Sequence, residues 1–372
     1  MGKAKVILAG ALPPPHIGPT LANEIILNSS LRDAFDVVHL DTSVNADFAS
    51  LGRFSLRSLL LGIKSYFSLI GLIRKERPEL LYLQTTQSTL AYIKDSIYVL
   101  IGSAMGVRVV GHLRGSEFKS WRMGQGPLMQ RYILYVQKRL SRQLVLGQCL
   151  ISLYTDVMPR ERIAVVANGK NLPELKLDSS KHEKPGPLNV LFLSNLRSRK
   201  GALETLEAFR LLCESTELPL RLVLAGAPRD SDVVEGIEAF LSVNNSLDIS
   251  LPGQVMAAQK NELLAEADIF VFPPTEPEGH PWVLVEALAA GLPVVATDQG
   301  AIVESVHHEK NGFITNGAPD DIASCLEKLV LDSALRKAFA SQSRLLYESE
   351  FTEQSMVSNL KLVFEDCLAD TD

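Results

Sequence analysis

The sequence lacks the residues and runs that mark disulfide-rich, zinc-binding and membrane-spanning proteins. Only four of its 372 residues are cysteines, and they are scattered without the paired spacing of a disulfide framework or a metal site. Its apolar stretches are interrupted by Lys64, Glu286 or proline before they reach the roughly 18 residues that a transmembrane helix needs. The apolar run near the start is short and ends at three prolines, which favours a first strand over a signal peptide. We therefore expect a protein of the reducing cytoplasm.

Several ligand classes are disfavoured by what is missing. No Gly-x-Gly-x-x-Gly follows the first predicted strand, so a nicotinamide-binding dehydrogenase is disfavoured. His307 and His308 are adjacent but have no further ligands at metal-binding spacing, so we predict no metal and no other cofactor. Recognition-helix, zinc-knuckle and RNP patterns are also absent, which argues against nucleic acid as a partner.

Charge is divided unevenly along the chain. Residues 1–180 carry 22 Lys and Arg against 13 Asp and Glu, a net charge of +9. The remainder carries 15 against 30, a net charge of −15. A basic front half indicates that this half meets an anionic partner. We expect an anionic membrane surface, at the inner face of the membrane, or a phosphate-bearing acceptor.

Short β-branched runs alternate with amphipathic helical stretches, a pattern typical of parallel α/β units. The predicted strands are Lys5–Ala9, Asp36–Leu40, Leu80–Gln84, Val107–Leu113, Gln143–Leu146 and Ile163–Val166, followed by strands that start near Leu188, Arg221, Ala267 and Val294. A polar stretch with Pro and Gly, Asp178–Pro187, indicates a linker between the two series. We therefore place two domains at residues 1–180 and 188–351, with a terminal helix in 352–372.

An acid stands inside a helix that is otherwise apolar on every side. Pro281 suits the first turn of this helix, Gly291 suits the position just past its end, and Pro293 prevents its continuation. Glu286 lies between these limits among apolar residues only, so the helix is predicted to be buried. A buried carboxylate requires a partner, because removing its water costs several kcal/mol. Glu286 therefore faces a polar ligand or a cavity or, in the alternative interpretation, forms a structural ion pair with a buried Arg or Lys.

The loop before this helix adds a second acid. Glu278 precedes Glu286 by eight residues and is followed by Gly279 and His280. A helix that starts after a glycine-containing loop presents backbone N–H groups and a positive dipole end, which suit a phosphate. Carboxylates can accept hydrogen bonds from sugar hydroxyls while amides hold a diphosphate. A nucleotide diphosphate-sugar carries both kinds of group.

The pattern Glu-x7-Glu followed by ALAAGLPVVATDQGAIVE resembles the donor-site signature of the retaining glycosyltransferases of family 4. The resemblance is strong over Glu276–Asn316, moderate over Leu188–Gly226 and weak in the first domain. It implies a GT-B fold, in which two Rossmann-like domains face each other across a cleft and the C-terminal helix crosses back to the first domain. It also implies that a sugar passes from a UDP- or GDP-linked donor to a hydroxyl of a glycan or lipid-linked glycan acceptor. The anomeric configuration is retained in this family, and no metal is used.

The segment SNLRSRKG, residues 194–201, lies between a predicted strand and a predicted helix. It resembles the donor-phosphate loop of the family, with Lys200 at the Lys of its Lys-Gly pair. Asn195 stands where many members carry Arg, and Arg197 or Arg199 is placed to reach the same phosphates. The resemblance implies that Glu286 holds the ribose hydroxyls and that Glu278 lies near the donor sugar. The alternative for the segment is a solvated basic turn.

Two loops of the first domain are candidates for the acceptor side. ALPPPHIGP resembles the family's glycine-containing loop, which approaches both the donor sugar and the acceptor. By resemblance Gly18 is a donor-binding candidate and His16 faces the acceptor, although a loop histidine is often only solvated. GHLRGSEF follows a buried strand, and by resemblance His112 lies near the reacting face of the sugar. Arg114 and Glu117 are its neighbours for a phosphate or an acceptor hydroxyl. A core histidine is the alternative for His112.

Two further segments carry weaker signals. The Asn168-Gly169 pair matches a family turn, and a simple turn is the favoured interpretation. Residues 52–78 form a basic amphipathic segment. Such a helix either packs on a sheet with its basic side solvated or lies on an anionic membrane, and both interpretations remain open.

Two other functions remain beside sugar transfer. A sugar-nucleotide epimerase of the same fold would release free nucleotide and epimerised sugar without an acceptor. A non-catalytic partner subunit would bind donor weakly or not at all. The intact Glu-x7-Glu and Lys-Gly pairs argue against a non-catalytic subunit, whereas Asn195 leaves this alternative open.

Overall fold

The computed structural model describes residues 2–43, 56–175 and 186–370. The chain divides into two compact units, one formed by Met1–Lys170 with Glu353–Asp372 and the other by Asn171–Thr352. Most of the predicted linker lies outside the described residues. The first unit ends ten residues before the predicted limit of 180.

The first unit is built on a sheet of six parallel strands in the order β2-β1-β3-β4-β5-β6. The strands are β1 (Lys5–Ala9), β2 (Asp36–Leu40), β3 (Leu80–Thr85), β4 (Arg108–Leu113), β5 (Arg142–Val145) and β6 (Ile163–Val165). Its helices before the linker are α1 (Gly18–Asn28), α2 (Leu31–Ala34), α3 (Leu56–Glu76), α4 (Thr89–Ala104), α5 (Phe118–Met123) and α6 (Pro127–Gln137). The central strands are nearly continuous apolar runs because helices cover parallel sheets on both faces.

The second unit repeats this plan with a parallel sheet in the order β12-β11-β10-β7-β8-β9. The strands are β7 (Leu188–Leu193), β8 (Leu220–Ala225), β9 (Ile249–Gly253), β10 (Ile269–Phe272), β11 (Val294–Thr297) and β12 (Gly312–Thr315). The helices are α7 (Ala202–Ser215), α8 (Ser231–Val243), α9 (Ala257–Glu266), α10 (Trp282–Ala289), α11 (Pro319–Leu331) and α12 (Ser333–Glu350). The prediction of two Rossmann-like domains is confirmed.

Two strands of the second sheet are absent from the prediction. Both are edge strands, β9 at one side and β12 at the other. β9 is mostly solvent-accessible and ends in Pro252 and Gly253, residues that are rare inside strands. β12 has four residues and begins with a glycine. Edge strands need less apolar surface than central ones, so their sequence signal is weak.

The last helix, α13 (Glu353–Ala369), belongs to the first unit. Phe364 packs edge-on against Phe35 with ring centroids 5.6 Å apart and lies 5.8 Å from the ring of Tyr82. Asp366 accepts a hydrogen bond of 2.7 Å from Arg142, the first residue of β5. The predicted return of the C-terminal helix to the first domain is confirmed.

Helix α10 has the limits that its sequence predicts, to within one residue. Pro281 is the residue before the helix rather than part of its first turn. At the other end, Gly291 has a φ of 65°, and the N–H of Leu292 donates to the carbonyl oxygen of Ala287 at 3.0 Å. This is a Schellman motif, which explains why a glycine stands there. Leu284–Ala289 are all buried, as the apolar sequence predicts.

Candidate active site

Polar side chains of the second unit gather where its strand order reverses. The chain runs from β7 outward to β8 and β9, and then returns to place β10 on the other side of β7. The loops that follow β7 and β10 therefore leave their strands in opposite directions and open a crevice at the carboxyl edge of the sheet. Ligands of open α/β sheets bind at such switch points. The segments 194–201 and 273–281, which the sequence singled out, are these two loops.

The basic loop after β7 is held close to the loop after β10. Gly201 has a φ of 80°, and a Cβ at this position would lie 2.0 Å from the carbonyl oxygen of Pro273. The N–H of Thr275 donates to the carbonyl oxygen of Arg199 at 3.1 Å. Only glycine combines this backbone conformation with so close an approach. The glycine of the Lys-Gly pair is therefore explained by the fold itself.

An aspartate that the sequence argument did not use fixes the other side of this loop. Asp230, the first residue of an Asp-x-Asp pair, accepts hydrogen bonds from the backbone N–H and the hydroxyl of Ser198 at 3.0 and 3.2 Å. It follows the loop after β8, the neighbour of β7. The loop is thus anchored from two adjacent strand ends.

Lys200 and Glu278 form an ion pair between the two loops. The Lys200 Nζ donates to the Glu278 Oε1, and each side chain is only 16% exposed. The Nζ also lies 5.7 Å from the centre of the Phe272 ring. The structure therefore brings together the cation predicted for the phosphates and the acid predicted for the sugar.

The acidic loop is also anchored from the segment after β11. The N–H of Ala301 lies 3.1 Å from the carbonyl oxygens of both Glu278 and Gly279. Gly300 has a φ of 61°, and a Cβ there would lie 1.8 Å from the Glu278 carbonyl oxygen. The backbone that carries Glu278 is therefore fixed from both sides.

Glu286 is 3% exposed and pairs with Lys260 of helix α9. This is the kind of ion pair that the alternative interpretation of Glu286 required. The lysine side chain is 24% exposed, so one end of the pair reaches solvent. Lys260 is missing from the sequence prediction. Its only signal is that it is the single basic residue of α9, the helix that follows an edge strand.

The remaining predicted donor residues occupy different surroundings. His280 is buried, with Nε2 2.8 Å from the hydroxyl of Ser305 and its ring 4.8 Å from that of Phe351. Arg199 forms a half-exposed ion pair with Glu276 at 3.5 Å. The side chain of His280 therefore belongs to the interior of the unit.

Asn195, Arg197 and Gly279 also lie in the two loops. Asn195 is exposed, and Arg197 is partly exposed at the start of the helical turn that carries Lys200. Gly279 is partly exposed beside Glu278. At the start of α10, Pro281 offers no side-chain hydrogen bond to the first-turn N–H groups. Backbone and cationic donors thus line the same loops.

The first unit holds a different kind of cluster. His112, near the end of β4, is fully buried, and its Nδ1 lies 2.9 Å from the hydroxyl of Tyr82 on β3. Arg114 donates to that hydroxyl at 3.2 Å and to Asn168 Oδ1 at 2.6 Å. Since Arg114 occupies the hydroxyl as a donor, the hydroxyl proton is directed to Nδ1.

This environment keeps His112 neutral. Burial lowers the pKa of His112 well below 6.5, and the nearby Arg114 guanidinium lowers the pKa further. Burial also raises the pKa of Tyr82, although Arg114 acts in the opposite direction. The cluster therefore carries one fixed positive charge, on Arg114, and neutral hydrogen-bonding groups around it.

Asn168 has a larger role than the predicted turn. It is 3% exposed, and residues 166–170 form no turn. Its side chain holds Arg114 instead. The turn interpretation is corrected, because a buried amide bonded to a guanidinium is part of an organised polar site.

The other first-unit candidates lie around the switch point between β1 and β3. His16 is exposed in the loop after β1, and Gly18 is the first residue of α1. Glu117 is linked to the loop after β3, because its backbone N–H donates to Gln87 Oε1 at 2.9 Å. His16 and Glu117 thus stand in loops at the same edge of the sheet as His112.

Residues 2–43, 56–175 and 186–370 contain no group of three or more His, Cys, Asp or Glu side chains that could hold a metal ion. No helix within the described part of the chain is long and apolar enough to cross a membrane.

Comparison with known proteins shows that the chain is similar to glycosyltransferases. Residues 176–346 match the family model of glycosyl transferases group 1. The capsular polysaccharide biosynthesis glycosyltransferase CapM of Staphylococcus aureus is 22% identical over 85% of this chain and 84% of its own length. The N-acetyl-alpha-D-glucosaminyl L-malate synthase of Bacillus anthracis is 24% identical over 71% of this chain and 69% of its own length.

A solved structure shares the fold. HepE of Anabaena, crystallised in complex with UDP, superposes with a TM-score of 0.77 at 19% identity, covering 97% of this chain and all of that one. The segment matched by the family model contains Lys200, Glu278 and Glu286. Residues 176–346 therefore resemble the glycosyl transferases of group 1, and the chain shares the fold of HepE.

Proposed function

We propose that this protein transfers a sugar from a UDP- or GDP-linked donor to a hydroxyl of a glycan or lipid-linked glycan, with retention of the anomeric configuration. The observation that carries the proposal is the convergence of the ion pair between Lys200 and Glu278 on the switch point of the second sheet. A nucleotide diphosphate-sugar supplies both the phosphates that a lysine attracts and the hydroxyls that a carboxylate binds.

In this proposal Lys200 acts on the leaving group. The bond between the anomeric carbon and the β-phosphate oxygen breaks and the bond to the acceptor oxygen forms, while the proton of the acceptor hydroxyl passes to the departing diphosphate. Negative charge develops on that diphosphate as it leaves. Lys200, aided by Arg197 or Arg199 and by the backbone N–H groups at Gly279 and His280, would stabilise that charge. Fixed donors aimed at developing charge are usually the largest catalytic contribution in such sites. No metal ion is required by this arrangement.

The two acids would take different parts of the donor. Glu286 would accept hydrogen bonds from the ribose hydroxyls, with Lys260 holding its carboxylate in place. Glu278 would lie near the sugar and would leave Lys200 in part when the diphosphate binds. Both carboxylates lie in mainly buried surroundings, where hydrogen bonds to charged groups contribute about 1.5–3 kcal/mol each.

The first unit would bind the acceptor. His112 would act as a neutral hydrogen-bonding group beside the reacting sugar, and Arg114, His16 and Glu117 are the candidates for acceptor contacts. The arrangement assigns no protein nucleophile. The names of CapM, a capsular polysaccharide enzyme, and of a HepE structure with bound UDP support a glycan product and a UDP-linked donor.

We further propose that the first unit contacts an anionic membrane through α3. Leu69 and Ile73 of this helix are buried, whereas Leu60, Ile63 and Phe67 are exposed. The exposed face also carries the basic residues Lys64, Arg74 and Lys75. Arg53 and Phe54 of the predicted segment lie outside the described residues, as do the side chains of Arg57 and Leu59. Exposed apolar residues among lysines and arginines are typical of interfacial helices.

A vesicle experiment tests the membrane contact. Binding is expected to require anionic lipid and to weaken as salt rises. A Phe67→Ser variant should reduce it. Absence of binding at every salt concentration would contradict the membrane contact without affecting the donor site.

Product analysis tests the transfer reaction. The protein would be incubated with UDP- and GDP-linked sugars, with and without a glycolipid extract, and nucleoside diphosphate and sugar products would be followed by NMR. Acceptor-dependent release of nucleoside diphosphate with a retained anomeric configuration is expected. Release of epimerised sugar without acceptor would favour an epimerase, and binding without any release would favour a non-catalytic subunit.

A further inference from the structure

A cavity of about 300 Å³ opens in the first unit, and its lining contains none of the candidate acceptor residues. Its lining includes a set of five basic residues, Arg108, Lys138, Arg139, Arg142 and Arg162. We call it the basic cavity. Nothing in the proposed sugar transfer uses it.

The basic cavity lies at the amino edge of the sheet. Arg108 is the first residue of β4, Arg142 is the first residue of β5, and Arg162 directly precedes β6. His112 and Arg114, at the end of β4 and just beyond it, mark the opposite edge. The basic cavity is therefore separated by the length of a strand from the candidate acceptor residues, and a ligand there would not compete directly with the acceptor.

The charge of the basic cavity is not balanced within the described structure. Arg142 is 10% exposed and pairs with Asp366 at 2.7 Å and Asp370 at 2.6 Å. In the described ranges, none of the other four basic residues has a carboxylate within 4.0 Å, so the group keeps an excess of about three positive charges. Like charges gathered around one cavity repel each other, and an anion would relieve this repulsion.

Several of these cations are held in place before any ligand arrives. Arg108 donates to the carbonyl oxygen of Asp370 at 2.7 Å. The guanidinium of Arg139 lies 3.3 Å from the centre of the Tyr135 ring and donates to the Tyr135 carbonyl oxygen at 2.7 Å. Because these donors are already fixed, less side-chain entropy is lost when a ligand binds. Lys138 and Arg162 remain exposed at the rim.

We propose that the basic cavity is a binding site for a phosphate group, independent of the donor site. Planar guanidinium groups can bind two oxygens of a phosphate at once, and several arginines converge here. A dianionic phosphate would neutralise most of the excess charge. The phosphate would come either from a soluble phosphate compound or from a lipid headgroup, and the two sources share this chemistry.

The test uses a double variant at the rim, Lys138→Gln with Arg162→Gln. Both residues are exposed, so the fold should tolerate the change, and Arg142 with its aspartates stays intact. The matched control is Lys3→Gln with Arg32→Gln, which removes the same two charges from exposed positions near β1 and β2. Melting temperatures verify that all three proteins are folded.

Two ligands are then offered to each full-length protein at low salt. Calorimetry measures binding of inorganic phosphate, and flotation measures binding to phosphatidylcholine vesicles with and without about 30% phosphatidylglycerol. The rim variant should bind the ligand that the basic cavity recognises at least about tenfold more weakly than wild type does. Each Lys or Arg near an anionic membrane surface raises affinity roughly fivefold, and the variant removes two of them.

If the rim variant loses binding of inorganic phosphate and the control variant keeps it, the ligand is a soluble phosphate compound. Loss confined to the anionic vesicles identifies a headgroup. If wild type binds neither probe, or if the rim variant and the control behave alike, the proposal is overturned. None of these results depends on whether the donor site is correctly assigned.

Discussion

The two units place polar side chains at the same edge of similar sheets, but they organise them in opposite ways. In the second unit the candidate site is a set of ion pairs, with Lys200 on Glu278 and Lys260 on Glu286. In the first unit it is a hydrogen-bonded cluster around a neutral, fully buried histidine. The difference fits the ligands proposed for each unit, a charged diphosphate for the second and a hydroxyl for the first.

The backbone elements that build the two candidate sites also differ. The Lys200–Glu278 ion pair of the second unit depends on loops that are held by close approaches at Gly201 and Gly300, where a Cβ would meet a carbonyl oxygen at about 2 Å. The cluster of the first unit depends on side chains of adjacent strands, Tyr82 on β3 and His112 on β4. The Lys200–Glu278 pair therefore rests on loop geometry, and the neutral cluster rests on strand register.

The largest expected effect comes from removing the cation of the second unit. Lys200→Met should lower kcat/KM for the nucleotide-sugar by about 10²–10³-fold, because one fixed donor to a developing charge typically contributes 3–4 kcal/mol. Steady-state kinetics would measure this, with the exposed Lys310→Met as control. A loss of less than about threefold would remove Lys200 from the mechanism.

The second prediction concerns the lysine that the sequence did not reveal. Lys260→Met should weaken binding of the cognate nucleoside diphosphate by about 10–100-fold, because it leaves the buried Glu286 without its cation. Lys260→Arg should restore most of the affinity. The preference for ribose over 2′-deoxyribose nucleotides should fall in Lys260→Met. This preference would not change if the pair with Glu286 were only structural. Equal preference in Met and wild type would show that Lys260 does not position Glu286.

A matched pair of glycines tests the loop geometry. Gly201 and Gly253 both have left-handed φ values, 80° and 70°, but only the first would place a Cβ against backbone, at Pro273. Gly253→Ala should cost about 1 kcal/mol of unfolding free energy from conformation alone. Gly201→Ala should cost about 2–4 kcal/mol, because the two loops must also separate. Urea denaturation measures both, and equal costs would contradict the close approach.

The smallest effect tests the neutral histidine of the first unit. The folded pKa of His112 lies below its unfolded value of 6.5, so the unfolded chain binds the proton first as pH falls. The His112 contribution is therefore complete above pH 6.5 and decreases below it, by up to about 1.4 kcal/mol per pH unit. His112→Gln should make the unfolding free energy less dependent on pH below 6.5, whereas the exposed His16→Gln should not. Parallel profiles for wild type and His112→Gln would show that folding does not shift the pKa of His112, which would contradict the neutral cluster.

The sequence predicts the central strands and helix α10 well because their signals are local. Uninterrupted apolar runs mark strands that are buried on both faces, and Pro281 with Gly291 marks the ends of α10. The edge strands β9 and β12 escape prediction because they bury too little apolar surface to leave such a run. Local patterns therefore reveal the core of each sheet and not its borders.

Site residues follow the same rule. Glu278, Glu286 and Lys200 are predictable because each is unusual in its own segment. Lys260, Asp230 and Tyr82 are not, because their roles arise only when distant segments meet in the fold. The partner of a buried acid is chosen by tertiary packing, and no spacing in the sequence encodes it.

The most direct test of the account is a calorimetric titration of UDP, GDP and ADP, and of their common sugar conjugates, into wild type and Glu286→Ala. Wild type is expected to bind either UDP or GDP selectively, and Glu286→Ala is expected to lose this binding. If wild type binds none of these nucleotides, or if Glu286→Ala binds as well as wild type, Glu286 is only a structural partner of Lys260. The donor site proposed here would then be wrong.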